Sequence, residues 1–279
     1  MGALPVQLNT GVIKMLHKKG PKEVITNWRP LTMLNSAYKI FAKAIALRIS
    51  PALTKWLSSE QKGFIKGQRI MEAVIAMWEG IEYAEESGQD FVFVKVDFDK
   101  AYDRLEWSFI IESLTMLAGI VKFVSTLLGN AQVRVAINNG ISDPFPLNRS
   151  VRQGCPLAPL LFSISVDSLN WLIKSKLTKA IMQGITLPDG RQQCLSQFAD
   201  GTNGLLHNDE QSLQSFWECL HIFCTASGSR INHAKTGIRA SLSPLPRWIT
   251  NQGCSILQDG VIFRLLGIPF GFRVSMSQR

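Results

Sequence analysis

The chain has 279 residues, 46% of them hydrophobic and 18% charged, a balance that is typical of a globular protein with one large domain or two subdomains and excludes a disordered or fibrous chain. No apolar run reaches the roughly 18 residues that span a bilayer, and no signal-peptide pattern opens the chain, so we expect an intracellular protein without its own membrane anchor. The five cysteines lack paired spacing, which indicates neither a disulfide framework nor a zinc knuckle. Cys219, His221 and Cys224 come closest to a metal-ligand cluster, but apolar residues at helical spacing around them favour an amphipathic helix.

Positive charge is concentrated in the first quarter of the chain. The formal net charge is +9, yet residues 1–70 carry twelve Lys and Arg against two Glu, a net charge of +10, so the remainder sums to −1. A basic surface beside a near-neutral remainder favours a phosphate-rich partner, through counterion release and electrostatic steering. A solvated basic surface is the alternative explanation.

The first ninety residues predict basic turns and helices. An apolar segment over 12–16 and an extended segment over 28–31 flank the basic turn Lys18-Lys19-Gly20-Pro21-Lys22. Apolar residues at three- and four-residue spacing predict one or two helices over 36–57, interrupted at Pro51, and a glycine-bracketed basic loop leads to a helix over 70–86.

Strands and helices then alternate. A short, nearly all-apolar run over 91–98 predicts a buried strand, and a helix over 107–117 follows. Asn138-Asn139-Gly140 predicts a hairpin between segments 133–137 and 145–147, and Pro159 opens a helix over 160–174. Segments 194–199 and 204–207 predict a second hairpin that turns at Asp200.

Two aspartates predict a divalent-metal site. Asp97 ends the strand over 91–98 and Asp200 lies at a hairpin tip. If the two strands share an antiparallel sheet, both carboxylates project from the same edge of that sheet. Oxygen ligands of this kind suit two Mg²⁺ ions that assist phosphoryl transfer, and the backbone carbonyl of Phe98 is a further candidate ligand. Taken alone, Asp200-Gly201 is explained equally well as a simple hairpin turn.

Eight motifs follow one another along the chain. They are Asn27-Trp28-Arg29-Pro30-Leu31, Tyr38-Lys39-Ile40, Gln61-Lys62-Gly63-Phe64-Ile65, Val96-Asp97-Phe98-Asp99-Lys100-Ala101-Tyr102-Asp103, Arg152-Gln153-Gly154-Cys155-Pro156-Leu157, Phe198-Ala199-Asp200, Ser227-Gly228-Ser229-Arg230-Ile231-Asn232-His233-Ala234-Lys235 and Leu266-Gly267-Ile268-Pro269-Phe270-Gly271. In this order they resemble the reverse transcriptase domain of non-LTR, LINE-like retrotransposons, particularly the plant versions. The resemblance runs through nearly the whole chain.

The resemblance implies an α+β fold, namely the fingers and palm of a right-hand polymerase, with an antiparallel palm sheet packed on helices and the thumb absent. It implies fingers over 1–90, a palm over 91–250 with a fingers insertion around 104–150, and a primer-grip region over 251–279. The implied function is RNA-directed DNA synthesis on an RNA template with a DNA primer and deoxynucleoside triphosphates. Two Mg²⁺ ions, or Mn²⁺ in their place, and a nuclear location complete this expectation.

The resemblance also implies roles for individual residues. Asp97 and Asp200 become catalytic metal ligands, together with the Phe98 carbonyl, and Tyr102 becomes a steric gate that blocks a 2′-hydroxyl. At the triphosphate, the resemblance implies contacts with the backbone N–H groups of Lys100 and Ala101 and a clamp formed by Lys18 and Arg29. It places Gln153 and Gly154 in the nucleotide pocket and Lys235 near the leaving pyrophosphate. It also places Leu266 and Gly267 in the primer grip. Each role has a structural alternative. Lys18 and Arg29 could lie on a solvated basic strand, Gln153 and Gly154 in a helix-entry loop, and residues 266–271 in an ordinary apolar strand and turn. Tyr102 could be a core aromatic residue, and Lys235 a solvated lysine.

Gly201 departs from the family pattern. It stands where the family's Phe-Ala-Asp-Asp box has a second aspartate, so the turn survives but one carboxylate is lost. The loss costs about 10- to 100-fold if that carboxylate only orients the site, and ~4 kcal/mol, roughly a thousandfold, if it is a direct ligand. The chain is therefore a polymerase of impaired activity, an inactive remnant that only binds nucleic acid, or a fragment that folds poorly.

Overall fold

A computed structural model describes residues 4–273, apart from the side chains of Met116 and Ala118. The chain forms two compact units, one of residues up to Trp56 and from Tyr102 to Ser165, the other of Leu57–Ala101 and from Val166 onward. The fingers, palm and primer-grip boundaries at residues 90 and 250 stay a prediction. Residues 1–3 and 274–279 of the predicted fingers and primer-grip regions lie outside the described residues.

The first unit combines a mixed sheet with helices. Its helices are α1 (Val6–Asn9), α2 (Ser36–Trp56), α5 (Trp107–Ser113) and α6 (Ala118–Leu128), with α4 (Ala101–Arg104) at one boundary and α7 (Ala158–Thr178) crossing the other. Its strands are β1 (Thr10–His17), β2 (Trp28–Met33), β4 (Gln132–Ile137), β5 (Gly140–Ile141) and β6 (Phe145–Pro146). The strand order is β2-β1-β4-β5, with β6 also on β4; β1 runs antiparallel to β2 and parallel to β4.

The second unit contains a sheet of order β12-β11-β3-β10-β9. Its elements are α3 (Ile70–Glu86), β3 (Phe91–Val96), β7 (Ile185–Thr186), β8 (Gln192–Gln193), β9 (Leu195–Phe198), β10 (Gly201–His207), α8 (Glu210–Ser227), β11 (Gly237–Ala240), α9 (Arg247–Thr250), β12 (Ser255–Ile256), β13 (Phe263–Leu265) and β14 (Ile268–Phe270). β3 is central and antiparallel to both β10 and β11. Because it is covered on both faces, its first four residues are fully buried, and the predicted buried strand is confirmed.

The core of the second unit joins α3, β3 and the C-terminal hairpin. Met77 of α3 and Phe93 of β3 are fully buried, and they belong to one apolar cluster with Leu265 and Phe270 of β13 and β14. The rings of Phe93 and Phe270 are stacked, with centroids 6.3 Å apart. Burial of such aromatic side chains fixes the hairpin β13–β14 to the sheet that carries Asp97.

Several elements differ in detail from the sequence prediction. Residues 36–56 form one continuous helix that contains Pro51. The helix predicted over 107–117 ends at Ser113, because Leu114 leaves the helical conformation at φ −91° and ψ 0°, and α6 was not predicted at all. The amphipathic helix around Cys219 is confirmed as α8, which Asp209 caps by accepting a hydrogen bond from the Ser212 N–H. Within residues 4–273, none of the helices has the length and apolar content that a membrane crossing requires.

Candidate active site

Asp97 and Asp200 leave the same edge of the sheet in the second unit. β3 and β10 are antiparallel, and Val96 pairs with Thr202 at the end of their register. Asp97 directly follows β3, and Asp200 comes just before β10, so the structure brings the two residues together as their placement in the sequence predicts. Asp97 is half-buried and Asp200 is exposed. Their catalytic roles stay a prediction.

The backbone of Asp97 is held on both sides by a neighbouring turn. Its N–H donates to the Thr236 hydroxyl at 3.2 Å, and its carbonyl accepts from the Asn232 N–H at 2.7 Å. The same Thr236 hydroxyl donates to the Asn232 carbonyl at 3.0 Å, which closes the turn. Lys235 is exposed on the 3₁₀ turn His233–Lys235, between these two anchors. The structure therefore places the predicted Lys235 on the turn that holds Asp97.

Phe98 continues this arrangement. It forms an isolated antiparallel bridge with Ile231, and the flanking bonds are made by the Asp97 carbonyl and by the Asp99 N–H, which donates to the Arg230 carbonyl at 2.8 Å. These two bonds do not use the Phe98 carbonyl. The Phe98 side chain is buried against Phe223, with ring centroids 5.7 Å apart, so the chain path beyond Asp97 is fixed by packing.

The turn that presents Asp200 is tighter than predicted. Phe198 pairs with Gly201, so only Ala199 and Asp200 remain in the loop. Ala199 has a φ of 54°, in the left-handed region that favours glycine. Its N–H donates to the side-chain carbonyl of Gln61 at 3.2 Å. Gln61 is not among the site residues that the sequence predicts, although it begins the Gln61-Lys62-Gly63 motif.

The predicted primer-grip hairpin reaches the same edge. β13 and β14 pair through Leu265 and Ile268, and the turn between them has Leu266 at φ 53° and Gly267 at φ 86°. A Cβ atom added at Gly201 would overlap Cδ2 of Leu266. Leu266 therefore occupies the space that a side chain at position 201 would need, a contact that no local sequence pattern indicates.

The donor set at this edge suits a hard divalent cation. Two carboxylates and the Phe98 carbonyl are oxygen ligands of the type that Mg²⁺ binds while it keeps several waters. Gly201 adds no side-chain oxygen, and among residues 4–273 no group of three or more His, Cys, Asp or Glu is placed to hold a metal ion. The residues present thus fit a divalent ion at a site that has one carboxylate fewer than the family pattern.

A basic strand face, which we define as Lys14, Lys18, Arg29 and Arg134, lies on the sheet of the first unit. Side chains alternate between the faces of a strand, and the registers pair Leu16 with Arg29 and Val12 with Arg134, so these four side chains share one face. All four are exposed. The Lys18 N–H donates to the Asn27 carbonyl at 2.8 Å, which continues the pairing beyond β1. The structure therefore brings Lys18 and Arg29 together.

Gln153 and Gly154 lie against the strand that carries Arg29. The Thr32 N–H donates to the Gln153 carbonyl at 2.8 Å, and Gly154 has a φ of 112° with no room for a Cβ beside the Thr32 carbonyl. The Gln153 side chain donates to Asp103 at 3.3 Å and lines a cavity of about 340 Å³ together with Pro30 and Thr32. Because Pro30 and Thr32 alternate with Arg29 along β2, the side chains of Gln153 and Arg29 lie on opposite faces of that strand.

The loop before Gln153 is anchored by Arg152. This residue is 4% exposed, and its guanidinium donates to the backbone and side-chain carbonyls of Asn9 at 2.9 and 2.7 Å. The guanidinium also lies over the Tyr38 ring, 4.4 Å from the centroid. Burial, with Cys155 beside it, raises the pKa of Tyr38. These contacts fix the position of the backbone that leads into Gln153.

Tyr102 is held by stacking. Its ring lies parallel to that of Phe162, with centroids 4.3 Å apart, and its carbonyl accepts from the Val151 N–H at 2.9 Å. Lys100, which is exposed, has a φ of 48°, and the buried Ala101 begins α4. The predicted gate residue thus has a fixed ring, and the two residues before it form the turn between β3 and α4.

The sheet of the second unit is antiparallel except between β11 and β12, which run parallel, and it packs on helices as the palm of a right-hand polymerase does. The fold is similar to apo telomerase from Candida tropicalis, truncated from its C-terminal domain, with a TM-score of 0.65 and 14% identity over 97% of this chain and 55% of that one. It is also similar to telomerase from Candida albicans in complex with a fragment of telomeric RNA, with a TM-score of 0.60 and 13% identity over 95% of this chain and 44% of that one.

Sequence comparison gives the family. Residues 16–270 match the model of the reverse transcriptase (RNA-dependent DNA polymerase) family. The chain is 32% identical to the transposon TX1 uncharacterized 149 kDa protein of Xenopus laevis over 84% of this chain and 18% of that protein. It is 25% identical to the probable RNA-directed DNA polymerase from transposon BS of Drosophila melanogaster over 98% of this chain and 30% of that protein. The chain belongs to the reverse transcriptase family, as a domain of the non-LTR retrotransposon type, and spans less than a third of these relatives. Enzymes of this family use divalent metal ions.

Proposed function

We propose that the chain carries out RNA-directed DNA synthesis, in which the 3′-hydroxyl of a DNA primer attacks the α-phosphate of a deoxynucleoside triphosphate and pyrophosphate leaves. The observation that best supports this proposal is that Asp97 and Asp200 lie at the same edge of one sheet, in a chain of the reverse transcriptase family. Both residues leave adjacent antiparallel strands, which is the arrangement that a shared cation requires.

The chain's own residues supply the cation site and the leaving-group contact. Asp97, Asp200 and the Phe98 carbonyl would hold Mg²⁺ or Mn²⁺, with two ions in the intact arrangement of the family. Such ions stabilise charge on the attacking and leaving oxygens of phosphoryl transfer. Lys235, on the turn that fixes Asp97, provides positive charge for the departing pyrophosphate.

Nucleotide and template contacts are proposed for residues of both units. Lys18 and Arg29, on the basic strand face, bind phosphate oxygens, for which a guanidinium fork is well suited. The stacked ring of Tyr102 excludes a 2′-hydroxyl because Phe162 prevents it from moving away. In the first unit, Gln153 and Gly154 line the nucleotide pocket from the face of β2 opposite to Arg29, so Arg29 contacts phosphate outside that pocket. In the second unit, the backbone N–H groups of Lys100 and Ala101 face the triphosphate, and Leu266 and Gly267 hold the primer end.

A second candidate function is nucleic-acid binding without catalysis. It is favoured by Gly201, which removes a carboxylate, and by Leu266, which fills the vacated space. The basic strand face provides the phosphate contacts that such binding needs. We further propose that the chain descends from a plant-type element and acts in the nucleus; the motif spellings support the first proposal, and the expected substrates support the second.

Primer extension distinguishes these functions. The assay uses a DNA primer on an RNA template with Mg²⁺ or Mn²⁺ and compares the parent, Asp97→Ala, Gly201→Asp and the control Asp189→Ala, which removes an exposed carboxylate on the β7–β8 loop. Extension by the parent that Asp97→Ala abolishes and Asp189→Ala retains supports catalysis by this chain.

The other outcomes are equally informative. Extension by Gly201→Asp alone shows a polymerase site that Gly201 has inactivated. Absence of extension in every variant, together with RNA affinity that falls steeply with salt, leaves binding as the function. A chain that unfolds without a cooperative transition, and binds no RNA, refutes both functions.

A further inference from the structure

A buried amide network lies directly under the Asp200 turn. Gln61 is 1% exposed and Gln197 is fully buried. The Gln61 side-chain carbonyl accepts from the Gly63 N–H at 2.8 Å and from the Ala199 N–H at 3.2 Å, and its amide nitrogen donates to the Gln197 side-chain carbonyl at 3.4 Å. Because both backbone partners are donors, the amide oxygen must face them. One side chain therefore ties the segment around Gly63 to the turn at Ala199.

Backbone bonds join the same two segments. The Lys62 N–H donates to the Gln197 carbonyl and the Gln197 N–H donates to the Glu60 carbonyl, both at 2.9 Å. Gly63 lies so close to the backbone of Ala199 that an added Cβ would overlap it. Gln61 thus forms an isolated parallel bridge with Gln197 of β9, and the segment 60–63 reaches the turn itself.

The turn needs such support. Ala199 holds a φ of 54° in a two-residue hairpin loop, where glycine is preferred at the first position because a Cβ is unfavourable there. A non-glycine residue in this region costs on the order of 1–2 kcal/mol and persists only where the surroundings impose it. Gln61 supports it by accepting the Ala199 N–H, because this bond holds the peptide plane from which the φ of Ala199 turns the chain towards Asp200.

We propose that Gln61 is a positioning residue of the metal site, which fixes the direction of the Asp200 carboxylate by holding the Ala199 N–H. The effect on cation binding rests on the proposed function, whereas the effect on the turn rests only on the hydrogen bonds of Gln61. Gln61 touches no reacting atom. Its role is to keep Asp200 in the conformation in which it shares a cation with Asp97.

The test compares three substitutions. Gln61→Met keeps the length but removes the acceptor, whereas Gln61→Glu keeps an acceptor for both N–H groups. Gln193→Met is the matched control, because the Gln193 side chain donates a comparable bond at 2.6 Å to the Ala76 carbonyl in α3 and not to the turn. If Gln61→Met does not fold, Gln61→Asn, which keeps the amide but shortens its reach, takes its place.

Two measurements are made on folded protein: hydrogen exchange of the Ala199 amide, and Mn²⁺ affinity from the electron paramagnetic resonance of the free ion. We expect Gln61→Met to speed Ala199 exchange at least ~10-fold and to weaken Mn²⁺ binding by roughly 10-fold, since groups that orient ligands contribute about that much. Gln61→Glu retains slow Ala199 exchange, and Gln193→Met changes neither quantity.

Unchanged Ala199 exchange in Gln61→Met overturns the proposal. Faster exchange with unchanged Mn²⁺ affinity, in a chain whose Asp97→Ala variant loses Mn²⁺, also overturns it, because Gln61 would then stabilise the fold without positioning a ligand. If Asp97→Ala does not lower the Mn²⁺ affinity of either the parent or the Gly201→Asp variant, the metal site is refuted, and the proposed catalysis with it. In that case Ala199 exchange alone still decides whether Gln61 holds the turn.

Discussion

Replacing Gly201 with aspartate adds a side chain where Leu266 already lies. The new Cβ would overlap Leu266 Cδ2 and stand 3.3 Å from the Phe198 carbonyl oxygen. Gly201 is not among the residues with a positive φ, so the backbone itself accepts an aspartate. The cost of the substitution is therefore the displacement of Leu266, which is partly buried against the Phe93 and Phe270 cluster.

The magnitude follows from this contact. Overpacking costs about 1–3 kcal/mol, and we expect Gly201→Asp to lower the free energy of unfolding by roughly 2 kcal/mol. Leu266→Ala removes a half-buried side chain and costs about 1–2 kcal/mol by itself. In the double variant the clash is absent, so its loss is smaller than the sum of the two single losses by about 1–2 kcal/mol.

Urea unfolding of the parent, both single variants and the double variant measures this coupling. Gly201→Asn is the matched control, because asparagine has the size of aspartate without its charge. It should show the same loss of stability, whereas only Gly201→Asp should gain primer extension, by up to roughly a thousandfold if the carboxylate binds metal directly. Additivity of Gly201→Asp and Leu266→Ala within about 0.5 kcal/mol would refute the steric reasoning.

Three further outcomes follow from other contacts. Gly63→Ala should lower the free energy of unfolding by about 3 kcal/mol or prevent folding, because the added Cβ meets the Ala199 backbone. Gly119→Ala is the control in α6: its Cβ meets nothing within 4 Å, and it should raise the free energy of unfolding by about 0.5–1 kcal/mol. Urea unfolding measures both changes. Partial burial raises the pKa of Asp90, but hydrogen bonds from Ser243 and neighbouring polar groups outweigh it and lower the pKa to about 2. Asp90→Asn should therefore lower the free energy of unfolding by about 1–2 kcal/mol above pH 4, and this difference from the parent should vanish as the pH falls through 2. Unfolding at pH 7 and pH 2 measures it, and an equal difference at both pH values contradicts the lowered pKa. Tyr102→Val, in a chain that extends primers, should raise ribonucleotide use relative to deoxynucleotide use at least ~10-fold in competition assays, and an unchanged ratio would exclude Tyr102 as the gate.

Local patterns in the sequence were sufficient for most elements. The apolar run at Phe91 predicts a buried strand, the three- and four-residue spacing predicts helix over the residues of α2, and the order of short motifs predicts the polymerase fold. They succeed because burial of a strand or helix face depends on residues that are neighbours in the chain. The same reasoning placed Asp97 and Asp200 at one edge, since two antiparallel strands bring the end of one beside the beginning of the next.

The tertiary structure decided what lies around those aspartates. The contact of Gly201 with Leu266 and that of Ala199 with Gln61 join residues 65 and 138 positions apart. The opposite faces of Arg29 and Gln153 likewise depend on which residue of β2 meets the loop after Arg152. Periodicity and motif order contain no information on such contacts, because they are set by strand register and by the packing of distant segments.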